Sequence, residues 1–327
     1  MRRREFVILL GGAATVGPPA ARAQQSSLPI VGFLSGRSAA ESAELVEAFH
    51  RGLAETGHVV ERNVAVEFRW ADGRYDRLAA LATELVGRRV AVVVAVGGGA
   101  AGLAAKSVTS NIPIVFASGG DAVKIGLVAS LSRPGGNVTG VNILFGALGA
   151  KRLEMLRELV PAASVVAMLV NPNYPSAPTE VQDVETAGRK LGLKISVFDA
   201  RTESEIEPAF AGLVEQKAGG LLVADDPFLQ SQRDRIVRLA ERHAVPAIYF
   251  SRDFADAGGL MSYGPSIVEV YRHVGVYTGR ILKGEKPADL PVMQPTKFEL
   301  VINLKSAKAL GLSIPANLLA AVEHLIE

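Results

Sequence analysis

The side chains best equipped for chemistry fall in short clusters, each directly after a strongly apolar run. They are Ser35-Gly36-Arg37-Ser38, Gly97-Gly98-Gly99-Ala100, Ser118-Gly119-Gly120-Asp121, Asn171-Pro172-Asn173-Tyr174, Asp225-Asp226-Pro227 and Ser251-Arg252-Asp253. Small, hydroxylic, amidic and acidic residues present backbone N–H groups, acceptors and one or two charges, which is what holding a polar ligand requires. The same residue types also cap helices and make turns. Gly97-x-Gly99-x-x-Gly102 formally matches the dinucleotide fingerprint, with Asp121 a further 19 residues on. Amides at a helix start bind an anion whatever its identity, so a pyrophosphate and a carboxylate are both candidates. The motif follows the third strand, however, whereas the fingerprint belongs to the first βαβ unit of its domain, and no cofactor is expected. Asp225-Asp226 could form an acid/base pair. Adjacent residues after a strand point in different directions, so one binding a ligand cation while the other caps a helix fits better. Tyr174 suits a stacking platform, and Trp70 either packs or lines a cleft wall.

Other catalytic constellations are missing from the sequence. The histidines are His50, His58, His243, His273 and His324, and none has HExxH or His-x-His spacing, which argues against a zinc site. There is no G-x-S-x-G elbow and no P-loop. The 327-residue chain has no cysteine, which excludes disulfides, thiolate metal sites and a lipid-anchored cysteine. Residues 1–23 hold four arginines against one glutamate, so they carry +3 of the formal net charge of +2 and leave −1 for the rest. A near-neutral body offers no electrostatic footprint for nucleic acid.

Elements that could position these clusters alternate along the chain. Strands are expected at Ile30–Leu34, Val64–Arg69, Val90–Val96, Ile114–Ala117, Val138–Leu144, Val165–Val170, Lys194–Asp199, Gly220–Ala224, Ala247–Phe250, Leu260–Tyr263 and Phe298–Asn303. Most are continuous apolar runs, the mark of parallel strands buried on both faces. Helical periodicity fills the intervals, including Glu41–Glu55, Gly126–Leu131, Lys151–Val160, Gln230–His243 and Ile267–Leu282, and His324 is read into a C-terminal helix. This order implies an α/β fold of two Rossmann-like lobes with parallel sheets, joined by several hinge crossings. The turn cluster at Arg133–Asn137 and the break at Gly258-Gly259 suggest residues 24–142 plus 260–290 for the N-terminal lobe. The C-terminal lobe then takes 143–259 plus 291–327. In such sheets ligands bind beyond the carboxyl ends of the strands, where all the clusters above lie.

The first 23 residues read as an export signal. Arg2-Arg3-Arg4 precede an apolar stretch from Phe6 to Val16, and Ala21-Arg22-Ala23 supplies small residues for cleavage after Ala23. Eleven helical residues reach about 17 Å, short of a hydrocarbon core of about 30 Å. Arg3-Arg4-Glu5-Phe6-Val7 resembles a twin-arginine signal, with an ordinary Sec signal as the alternative.

Several long stretches carry a family likeness. They are Trp70-Ala71-Asp72-Gly73-Arg74-Tyr75-Asp76, Pro113–Asp121, Ser132-Arg133-Pro134-Gly135-Gly136-Asn137, Gly258–Gly264 and Pro295–Asn303. Through them the chain resembles the ABC-transporter substrate-binding proteins of the tryptophan/tyrosine-type branch, with the periplasmic-binding-protein class I fold. The resemblance implies a non-enzymatic, monomeric receptor that captures a small molecule, an amino acid or related carboxylate, and delivers it to an ABC permease in the inner membrane. Its position-by-position carry-over implies ligand contacts at Ser35, Gly98, Gly99, Ala100, Ser118, Asp121, Asn171, Tyr174, Asp226, Ser251 and Tyr263, with Asp226 holding an amino group. Amino-acid binders of the branch tend to have Thr-Pro at Gly98-Gly99, Asp-Asn at Asp226-Pro227 and proline at Ala122. Lacking a lipid anchor, such a receptor needs an outer membrane to retain it, so a Gram-negative periplasm is expected. A periplasmic ligand sensor for a signalling partner and an exported NAD(P)-dependent oxidoreductase are the alternative readings.

Overall fold

The computed structural model describes residues 28–143 and 145–327. The leader and its cleavage after Ala23 lie outside the described residues, as does Leu144.

The chain opens with strands and helices alternating as far as β4, after which β5 follows without a helix: β1 (Ile30–Ser35), α1 (Ala43–Glu55), β2 (Ala65–Trp70), α2 (Leu78–Gly87), β3 (Val92–Val96), α3 (Gly99–Val108), β4 (Ile114–Ser118) and β5 (Val138–Asn142). These strands form a wholly parallel sheet in the order β2-β1-β3-β4-β5. Its central strands are buried from end to end, which their unbroken Val, Ile and Phe runs require. Then come α4 (Phe145–Leu159), β6 (Val165–Val170), α5 (Ala177–Lys190), β7 (Lys194–Asp199), α6 (Glu203–Glu215), β8 (Gly220–Val223), α7 (Pro227–Ser231), α8 (Arg233–Arg242), β9 (Ala247–Tyr249), α9 (Arg252–Asp256) and β10 (Met261–Gly264). After α10 (Ile267–Leu282), the chain ends with β11 (Glu299–Asn303), α11 (Leu304–Ala309), α12 (Ala316–Ala320) and β12 (His324–Ile326). The second sheet has the order β12-β11-β10-β9-β8-β6-β7, and only the β10–β11 pairing is antiparallel. No helix among the described residues is long and apolar enough to cross a membrane.

The chain passes between the lobes three times: after β5, between β10 and α10, and between Met293 and β11. Helix α10 belongs with the first lobe, where it lies along α1 at very short range. A Cβ at Gly275 would stand 2.1 Å from the Phe49 carbonyl oxygen, and one at Gly279 would stand 1.8 Å from Thr56 Oγ1.

Some sequence expectations change here. The return to the first lobe was expected at residue 260, but β10 pairs with β9 and β11 and is part of the second sheet. Gly258-Gly259 is a turn inside that lobe, closed by Gly259 N–H donating to the Phe254 carbonyl. Met293 still belongs with the first lobe, since its N–H bonds the Gly140 carbonyl and its carbonyl takes the Asn142 N–H. Gly126–Leu131 is turn, not helix: Gly126 has φ +78°, and Asp121 closes the preceding loop on the Val123 and Lys124 amides. The helix expected from Lys151 starts at Phe145, and the one expected over Gln230–His243 is divided into α7 and α8. His324 opens β12, because the edge strand β11 of the second sheet takes up its backbone beside Val301.

Candidate ligand-binding cleft

The loops beyond the carboxyl ends of both sheets face each other across the two lobes. The chain there is glycine-rich for a steric reason. Gly98 has φ +109°, and a Cβ on it would stand 2.9 Å from the Pro227 ring and 3.0 Å from the Tyr174 ring of the opposite lobe. Between the lobes lies a cavity of about 40 Å³, whose wall includes Arg37, Gly98, Tyr174, Asp225, Phe250 and Tyr271. A larger groove of about 780 Å³ flanks it, with Glu41 and Glu44 on one side and Arg233, Ser251 and Asp253 on the other.

Four polar contacts hold the lobes together here. Tyr75 Oη donates to Asp226 Oδ2 at 2.6 Å and accepts from Phe228 N–H at 3.2 Å. Gly99 N–H donates to Tyr174 Oη at 3.3 Å, and Arg233 pairs with Glu41 at 3.2 Å. Asp226 is saturated by its surroundings. Its Oδ1 accepts from Leu229 N–H at 2.7 Å, capping α7, and its Oδ2 also accepts from Asn171 Nδ2 at 3.2 Å. Burial nevertheless pushes its pKa up to about 6, against the pull of those donors.

Beneath the second-lobe loops lies a fully buried ion pair. Arg152, on α4, bonds Glu180 Oε1 of α5 at 2.8 Å with neither side chain more than 2% exposed. Glu180 also accepts from the Asp225 N–H at 3.2 Å, so the pair fixes the backbone of the β8–α7 loop. Burial raises the Glu180 pKa to about 7 although Arg152 opposes it. Burial, and then repulsion from Glu180, raises that of Asp225 well above the carboxylate range. Asp225 Oδ2 has no hydrogen-bond partner among the described residues.

The sequence-derived residues are placed unevenly around this cavity. Gly98 and Tyr174 form part of its wall, and Gly99 contributes its amide to Tyr174. Ser251 caps α9 and lies on the flanking groove. Ser35 Oγ accepts from Arg37 N–H and holds the loop that carries Arg37. Asn171 braces Asp226 and the following turn. Ser118 Oγ donates to the Gly120 carbonyl, Asp121 caps its own loop, and Ala100 packs into the first-lobe core. Tyr263 lies away from the cavity on β10, its ring 6.1 Å from that of Phe298. Trp70 packs, stacked on Phe68 at 5.6 Å and tilted against Phe33.

Arg37, Asp225, Phe250 and Tyr271 are cavity residues that the sequence reading did not select. The first three lie in or beside clusters it recognised, so a signal was present. Tyr271 sits within an amphipathic helix, where nothing local distinguishes it from core. Among the described residues no group of three or more His, Asp or Glu is placed to hold a metal. The cavity has hydrogen-bonding groups, a carboxyl and a guanidinium from opposite lobes and apolar walls, which serve to hold a small polar molecule.

The chain is similar to a tyrosine-binding protein of Clostridioides difficile, at 25% identity over 266 residues, covering 81% of this chain and 76% of that protein. It is also similar to the solved structure of an ABC domain in complex with L-Trp from Streptococcus pneumonia. That match has 26% identity, a TM-score of 0.84, and covers 92% of this chain and all of the other. A conserved domain protein from Vibrio cholerae, 23% identical, shares the fold at TM-score 0.86 over 91% of this chain and all of its own. The family model described as ABC transporter substrate binding protein matches residues 28–326. Taken with the two parallel-sheet lobes and the cavity between them, this shows that the chain belongs to the ABC transporter substrate binding protein family, whose members bind small molecules and are not enzymes.

Proposed function

We propose that this chain is the periplasmic solute-binding component of an ABC importer. In this reading it captures an amino acid or a related carboxylate between its lobes and passes it, as a monomer, to a permease in the inner membrane of a Gram-negative cell. The observation that carries the reading is the cavity itself, lined by polar groups from both lobes and bridged by Tyr75–Asp226 and Gly99–Tyr174. A ligand contacting both lobes stabilises the closed arrangement by its differential affinity for it. Relatives named for tyrosine binding and solved with L-Trp support the amino-acid class. The arginine-led, apolar leader supports export, with cleavage after Ala23.

The test is a thermal-shift screen of the mature chain against amino acids and small organic acids. A true ligand at about 100 times its dissociation constant adds about 2.7 kcal/mol to stability. A solute that raises the melting temperature and is recovered unchanged supports the reading. Turnover of the bound solute, or nicotinamide absorbance in the purified protein, would overturn it.

A further inference from the structure

Two neighbouring acids at the cleft have opposite hydrogen-bonding states. Asp226 is fully used, by three donors of which one is the Leu229 N–H that it caps in α7. Asp225 is 7% exposed, lines the cavity, and leaves Oδ2 without a partner. A buried carboxylate oxygen with no donor is costly, so this wall is complete only when a donor arrives from within the cavity. Across the cavity stands Arg37, also 7% exposed, on the loop after β1. Its charge acts on Asp225 and on Tyr271, yet it makes no ion pair with Asp225 within 4 Å. The Asp225 carboxyl and the Arg37 guanidinium lie on opposite lobes of the cavity, with Tyr271 also on its wall. The remaining wall is apolar, with Ile143, Phe250, Ile267 and Val270.

We propose that Asp225 and Arg37 are the two poles of the ligand subsite, Asp225 receiving an ammonium group and Arg37, with Tyr271, a carboxylate. The ligand class is then a small dipolar ion. This rests on the reading of the chain as a solute-binding protein and adds the residues that set its selectivity. The second-lobe face holds Asp225, Asp226 and Glu180 against Arg152, so a plain carboxylate meets a surplus of acid there. A plain amine leaves Arg37 desolvated and unanswered.

Matched triplets test this on the mature chain by titration calorimetry: L-tyrosine, 3-(4-hydroxyphenyl)propionate and tyramine; L-leucine, 4-methylpentanoate and 3-methylbutylamine; L-alanine, propionate and ethylamine. The dipolar member of at least one triplet should bind 100-fold or more tighter than both truncated members. Asp225→Asn should weaken it 10-fold or more and shrink its margin over the acid that lacks the amine. Arg37→Gln, on the opposite lobe, should shrink the margin over the amine instead, and reads independently should the first variant fold poorly. A des-amino acid binding as tightly as its amino acid overturns the proposal and leaves the solute-binding function standing. Equal loss of all three members in both variants overturns it as well, since that is a structural effect. Silence of all triplets in the unmodified chain overturns it together with the amino-acid reading.

Discussion

At the residue scale, the pair Asp225-Asp226 shows how one peptide step separates two roles. Asp226 turns back on the helix it caps and reaches the opposite lobe through Tyr75, while Asp225 faces the cavity. Raised carboxyl pKa values have a definite sign in stability. The Asp226 pKa is about 6 when folded, above its unfolded value near 4, so its favourable contribution is complete below about pH 4. It is lost as pH rises through about 6, a change of roughly 3 kcal/mol. Asp226→Asn keeps the cap and should flatten that part of the profile, read as the wild-type minus variant difference in denaturant unfolding between pH 4 and 7. A variant whose profile parallels the wild type would count against it. Arg152→Met should cost about 3–5 kcal/mol at neutral pH, because it leaves the Glu180 carboxylate buried without its cation. That one of two adjacent acids after a strand caps the next helix was legible. The sequence reading gave Asp226 the ligand's amino group, however, whereas Asp226 is the cap and its oxygens are taken by Leu229, Asn171 and Tyr75. Which oxygen stays free was not legible, since that depends on Tyr75, Asn171 and Glu180 arriving from elsewhere in the chain.

At the element scale, sequence periodicity located nearly every strand within a residue or two, because buried parallel strands must be apolar throughout. It failed where a short segment has its geometry set by neighbours. Gly126–Leu131 has helical composition but follows an Asp121 turn, and β12 forms only because β11 offers an open edge. The α1–α10 contact is the tightest test of this scale. Gly275→Ala places a methyl against the Phe49 carbonyl, and overpacking of this kind costs about 1–3 kcal/mol or more. Gly87→Ala, at the end of α2 with nothing within 4 Å of its Cβ, should instead add about 0.4–1 kcal/mol. Urea unfolding of both variants checks the contrast, and equal effects would contradict it.

At the scale of the whole molecule, the lobes meet through few bonds, so single substitutions should alter closure without unfolding either lobe. Tyr75→Phe removes the phenol that both donates to Asp226 and accepts from Phe228. A hydrogen bond to a charged group contributes about 1.5–3 kcal/mol. The variant should therefore show a larger radius of gyration in solution scattering and about ten-fold or more weaker ligand binding, with its unfolding midpoint little changed. An unaltered radius with a collapsed midpoint would assign Tyr75 to lobe packing instead. Two lobes joined by several crossings were legible from the βα rhythm and the turn clusters. The return point was not, since Gly258-Gly259 looks like any boundary until β10 is seen paired on both sides.

The crossing after β10 also orders assembly in time. The face of α1 that carries Phe49, Gly52 and Leu53 is covered by α10, a segment made more than two hundred residues later. A nascent chain that has completed its first sheet still exposes this strip until α10, beyond the second lobe's β10, has been synthesised. Contacts of such long sequence separation form slowly, and exposed apolar surface invites aggregation in the interval. The lobe that begins the chain thus stays open for most of synthesis, and the ribosome must deliver most of the second lobe before the first can finish folding.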